Sequence, residues 1–146
     1  MPGMEHLSLL DRLHHHQRLA QDILTRGAAC IDGGPDTALP AIAGLRAEMA
    51  QVLRDYQIFK HEEIFDPAVT SGSPDRIERA RAMKIECIGA GEAFRTHLVY
   101  WQHRDVTAEW DAYKASARLT INQLKRHIGK EEEGITALLT DMSVEV

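Results

Sequence analysis

The chain has 146 residues, 44% of them apolar and 27% charged, with a formal net charge of −5 and two cysteines. That length suits one domain with a sizeable core, spanning 1–146, and the balance is globular rather than disordered. An acidic chain with no basic stripe argues against nucleic acid and anionic membrane as partners, and no stretch nears transmembrane length.

Helical periodicity organises the whole sequence, and no alternating stretch bounded by hairpin turns signals a strand. Leu9, Leu10, Leu13, Ala20, Ile23 and Leu24 share one face and predict a first helix from about Met4 to Thr25. Gly27 to Thr37, with Gly33-Gly34-Pro35-Asp36, predicts a break. Ile42, Leu45, Met49, Val52, Tyr56 and Phe59 mark a second helix running to about Phe65, closed by Pro67 and the polar Thr70-Ser71-Gly72-Ser73 segment. Ser73 is placed to cap a third helix with Pro74 at its first position, where a missing N–H costs nothing. That helix carries Ile85, Ile88, Phe94, Leu98 and Trp101 to about His103. Thr107 is a candidate cap for a fourth, whose stripe is Ala117, Ile121, Leu124, Ile128, Ile135 and Leu138. Four amphipathic helices with short connections predict an all-α fold, an up-down-up-down antiparallel four-helix bundle.

Eight histidines are many for a chain of this length, so the ones that face the core matter most. An ionisable group there needs a partner or a metal. His127 and Glu131 are four residues apart beside Leu124, Ile128 and Ile135, so they share an inward face of the fourth helix and could chelate a metal. The plainer reading is a His–Glu hydrogen bond on a half-solvated face next to Glu132 and Glu133. His97 follows Cys87, Ala90 and Phe94 on the apolar row of the third helix. His16 follows Leu9 and Leu13 on that of the first, with His15 opposite and His14 at the boundary. In the second helix, extending Val52, Tyr56 and Phe59 places Glu63 inward, His61 outward and Glu62 to one side, an order that a kink would change.

A histidine on helices one, three and four, a Phe-Lys-His-Glu-Glu segment closing helix two, and a final His-x-x-x-Glu together resemble the hemerythrin-like, or HHE cation-binding, family across nearly the whole chain. The resemblance implies a non-haem iron site between the helices, with one or two ions, that binds O2 or NO, senses oxidants or handles iron. It implies His16, His97, His127 and Glu131 as metal ligands, with Glu62 or His61 from helix two. Histidine and carboxylate ligation also suits zinc or manganese.

The alternative is a metal-free helical bundle that binds a protein partner or acts as a regulatory module. It rests on Ile58, which stands four residues before Glu62 where the family carries histidine. A phosphotransfer histidine is a weaker option, since His15 is outward but has bulky neighbours. No nucleophile elbow, phosphate loop or His-Glu-x-x-His signature identifies an enzyme. Two cysteines that make no disulfide framework, and an N-terminus without a leader pattern, predict a cytoplasmic protein. A homo-oligomer is compatible with the same sequence.

Overall fold

The structure is a computed structural model that describes the backbone of residues 2–70 and 72–144 and the side chains of 9–70 and 72–142. Among the described residues, five α-helices and one π turn make up four rods: α1 (Pro2–Asp32), α2 (Pro35–Lys60) continuing through the π turn His61–Phe65 into α3 (Asp66–Thr70), α4 (Pro74–Gln102) and α5 (Trp110–Val144). No strand occurs among the described residues. No described helix is long and apolar enough to cross a membrane.

The first break is far shorter than the run of glycines suggests. Helix α1 continues through Gly27 to Asp32, and only Gly33 and Gly34 separate it from α2. Gly27 is buried where a Cβ would meet Met49 at 3.2 Å and Ile121 at 3.6 Å, so its missing side chain serves close packing rather than a turn. Gly34 makes the turn itself, with φ of 90°, a region that favours glycine. Pro35 then opens α2.

The α4 start matches the sequence expectation. Ser73 is extended, and its Oγ accepts the Arg76 N–H at 3.3 Å ahead of Pro74. Thr107 does not cap α5, which begins at Trp110 after a turn over residues 106–109. Asp105 satisfies that turn instead, its Oδ1 accepting the amides of Thr107 (3.0 Å) and Ala108 (3.2 Å). An aspartate can bridge two such amides from outside the turn, which a threonine within it cannot.

Pro67 does not end the second rod. It lies two residues past the end of the π turn, and helix persists through it to Thr70. Ser71, part of the predicted break, lies outside the described residues. The π turn just before Pro67 carries the larger consequence. The Asp66 amide bonds the His61 carbonyl five residues back, one residue more than an α turn. Lys60 and Phe65, five apart, are therefore both buried, and the apolar face is re-phased after Phe59. Glu63, expected inward, moves to the side, where it accepts from Arg12 of α1 at 2.8 Å.

One core joins all four rods: Leu13, Ile23 and Leu24 of α1, Met49, Tyr56 and Phe59 of α2, Cys87, Phe94 and Trp101 of α4, and Ile121, Ile128, Ile135 and Leu138 of α5. Ile85 and Ile88, read from the sequence as core, are 70% and 46% exposed. Helix α4 carries apolar residues on both sides, and only the row through Cys87, Phe94 and Trp101 turns inward. Polar pairs tie the rods together. Between α1 and the second rod they are Arg12–Glu63, Gln17–Tyr56 and Arg26–Glu48. Between α4 and α5 they are Arg79–Asp141, Glu86–Lys130 and His97–Ser116, and between α1 and α5, Asp32–Arg118.

Candidate functional site

Among the described residues, four polar side chains sit in this core where hydrocarbon would be expected: Gln17, Lys60, Arg76 and Glu131. Lys60 and Glu131 find each other. Tyr56 and Lys60 are one helical turn apart on the inward face of α2, and His127 and Glu131 are one turn apart on α5. Where these faces meet, Lys60 Nζ donates to both carboxylate oxygens of Glu131, each at 2.8 Å, with both side chains 4% exposed. The same ammonium lies 3.9 Å from the centre of the Tyr56 ring, a cation–π contact. The Tyr56 hydroxyl accepts from Gln17 Nε2 of α1 at 3.1 Å.

His127 Nε2 approaches Glu131 Oε2 at 3.2 Å, an ion-pair distance at an angle that leaves the nitrogen without an aligned hydrogen bond. Cys87 of α4 completes the group. Its sulfur, a His127 ring nitrogen and a Glu131 oxygen all lie within 4.8 Å of one another. One polar cluster thus draws side chains from α1, α2, α4 and α5.

The electrostatics follow from crowding charges out of water. Burial opposes a charged imidazole at His127, but the Cys87 sulfur and the Glu131 carboxylate beside it outweigh that and push its pKa up to about 9. Burial likewise works against the Glu131 carboxylate, and His127 and Lys60 together overcome it and hold its pKa below the ordinary value. The Tyr56 phenol is raised, first by burial and then by the neighbouring carboxylate. At neutral pH His127 is therefore an imidazolium and Glu131 a carboxylate.

Of the six residues read from the sequence as metal ligands, the structure brings together His127 and Glu131. His16 is half-buried with its ring stacked on Phe59 at 4.8 Å, and burial, then His15, lowers its pKa. His61, in the π turn, sets its ring edge-on to Phe65 at 5.3 Å, and its Nε2 is buried without a hydrogen-bond partner. Its pKa is lowered by burial and then by Lys60. His97 is bonded through Nδ1 to Ser116 Oγ at 2.9 Å, and Ser116 also accepts from Trp101 Nε1 at 3.2 Å. Burial, then Arg46, lowers its pKa. Glu62 is exposed.

Among the described residues, Cys87, His127 and Glu131 are the group of His, Cys and acidic ligand atoms drawn this close together. A two-iron centre needs several such atoms around each of two ions, and these residues as placed do not fit one. Gln17, Tyr56, Lys60 and Cys87 are the members that sequence reasoning missed as site residues. Cys87 was legible as inward through its row with Phe94 and Trp101. Lys60 had a signal too, since it stands one turn beyond the inward-facing Tyr56.

Comparison of the chain with family models, with curated proteins and with solved structures gives no match.

Proposed function

We propose that this chain is a hemerythrin-like, up-down-up-down bundle that works without a metal, as a regulatory or protein-binding module. The observation that carries the reading is the buried Lys60 ammonium, 2.8 Å from both oxygens of Glu131. It supplies the carboxylate with the positive charge that a metal would otherwise bring. An incoming divalent cation would have to push Lys60 into apolar surroundings and strip the proton from His127, and each step opposes binding.

The antiparallel order is supported by the pairs between rods. Arg12 meets Glu63 and Arg26 meets Glu48, so advancing along α1 retreats along α2. Arg79 meets Asp141 and His97 meets Ser116 in the same reversed sense between α4 and α5. A protein-binding role is supported by the outer side of α4, where Ile85, Ile88, Val99 and Tyr100 are exposed. A cytoplasmic setting is supported by two cysteines that are both free.

The test is metal content together with an absorption spectrum, on untagged protein from iron-replete cells. The expected result is metal far below one ion per chain and no visible band. Stoichiometric iron with an oxo-bridge band would overturn the reading.

A second reading is favoured by the convergence of Cys87, His127 and Glu131. In it, one ion of iron, zinc or manganese takes those three ligands, and a thiolate among them selects zinc or iron over manganese. On iron, O2 or NO would be the small-molecule partner. Stoichiometric metal that is lost in Cys87→Ala and in His127→Ala supports this reading, and metal retained in both refutes it.

A further inference from the structure

A cavity of about 230 Å³ opens between α2, α4 and α5, directly beside the buried ion pair. Its body is hydrocarbon, from Leu53, Phe94, Leu98 and Leu124. Its charged lining is one-sided, with Tyr56, Gln57 and Cys87 as neutral polar neighbours. Four basic side chains reach it, Arg54, Lys60, Arg95 and His127, and none of its lining residues is an aspartate or glutamate. Two of the four are answered from outside the lining, Lys60 by Glu131 and Arg95 by Glu92. Arg54 has no partner among the described residues. His127 contacts Glu131 as an ion pair without completing a hydrogen bond.

An apolar space with surplus donors and no acceptor charge selects its occupant by sign and by size. A neutral hydrocarbon would leave the donors unanswered, and a cation would meet like charge at every charged wall and no carboxylate to answer it. The volume falls below the roughly 300 Å³ at which pockets begin to hold drug-sized molecules.

We propose that this cavity binds a small organic monoanion, a carboxylate on a compact apolar body, held by Arg54 at the mouth with His127 and Lys60 deeper in. The ligand's apolar part lies against Phe94 and Leu98, and its charge offsets the basic lining. The site touches α2, α4 and α5 together, so an occupant gives the regulatory module a signal to respond to. The proposal rests on the metal-free reading in one respect: Lys60 and His127 stay with Glu131.

The experiment is calorimetric titration of the full chain, EDTA-treated and checked for residual metal, with benzoate, benzyl alcohol and benzylamine as probes of one shape and three charges. Benzoate is expected to saturate at one site per chain with a Kd under about 1 mM. Benzyl alcohol should bind more weakly, and benzylamine not at all. Ala90→Phe fills the cavity and Arg54→Glu reverses its mouth, and each should weaken benzoate about tenfold or more with the helical circular dichroism unchanged. Arg54 is exposed, so that variant decides the matter even where Ala90→Phe disturbs packing.

Equal binding of benzylamine, no benzoate saturation up to about 10 mM, or unchanged affinity in Arg54→Glu would each overturn the proposal. So would benzoate binding that appears only after zinc or iron is added, because the metal would then be the anion's receptor. Metal in the protein as purified counts against the metal-free reading alone, and benzoate binding by the EDTA-treated protein is scored separately.

Discussion

Replacing Lys60 by methionine keeps most of the side-chain volume and removes the ammonium that neutralises Glu131. The carboxylate left behind is 4% exposed and loses two 2.8 Å hydrogen bonds. Removing one partner of a buried ion pair typically costs about 3–5 kcal/mol. His127 remains at 3.2 Å and carries a proton at neutral pH, so the cost should fall at the low end, about 3 kcal/mol. For a chain of this size that is a drop in Tm of roughly 6–12 °C. Urea unfolding should show a lower midpoint with an unchanged slope. The double variant Lys60→Met/Glu131→Met is the sharper measurement, because two apolar groups in place of a buried pair are often neutral or stabilising. It should recover most of the loss, giving a coupling energy of about 2 kcal/mol or more in the cycle. A Lys60→Met variant within about 0.5 kcal/mol of the parent, or a double variant that simply sums two losses, would refute the reasoning.

Stability should also depend on pH in a definite sense. His127 is raised in the folded protein to about 9 from 6.5, so its contribution is fully present below pH 6.5 and is lost as pH climbs to about 9. The ceiling is about 3 kcal/mol, and urea midpoints at the two ends should converge in His127→Gln; a parent midpoint that does not fall over that range would contradict it. His16, His61 and His97 are lowered instead, so their stabilising neutral forms are lost as pH falls below 6.5 and through their folded values, and unfolding midpoints should decline on that side too. Ser116→Ala leaves His97 Nδ1 and Trp101 Nε1 without their shared partner and should cost about 1–3 kcal/mol, with a shift in tryptophan emission that a surface serine would not produce. Ser73→Ala should cost about 1 kcal/mol through the lost cap of α4, with Ser73→Asp restoring it, both read from thermal melts.

The helices and most of their inward faces were legible because burial in a bundle follows the 3.6-residue period, as in Leu13, Ala20 and Ile23 or Ile121, Ile128 and Ile135. Reading failed where tertiary packing overrides local rules. Gly27 looked like a breaker, yet it is a contact point for Met49 and Ile121, which only the partner helices reveal. Ile85 and Ile88 looked like core, yet α4 is apolar on two sides, and periodicity cannot choose between them. The π turn adds one residue to the second rod and moves Glu63 out of the phase that periodicity assigns, so its partner Arg12 was not visible from the sequence. The His127–Glu131 pair was legible because both residues lie on one helix four positions apart. Cys87 and Lys60 join it from other helices, at depths that depend on how the rods are staggered.

Ile58 shows how far phase governs this site. In the sequence it stands where a histidine would complete a ligand pair with Glu62, and its identity looks like the missing piece. In the structure Ile58 is 47% exposed and Glu62 is exposed as well, so a histidine at 58 would face away from Glu131. The positions on α2 that do face the interior beside Glu131 are 56 and 60, a tyrosine and a lysine. Neither is a ligand suited to a divalent metal at neutral pH, since the phenol is raised by burial and the amine is already bound to the carboxylate. Building a metal site here would therefore take a change at position 60, where Lys60 already holds the carboxylate. Lys60→His is the substitution that separates phase from identity. It should create zinc affinity shared with Cys87, His127 and Glu131, readable as a cobalt–thiolate absorption band, while Ile58→His should create none.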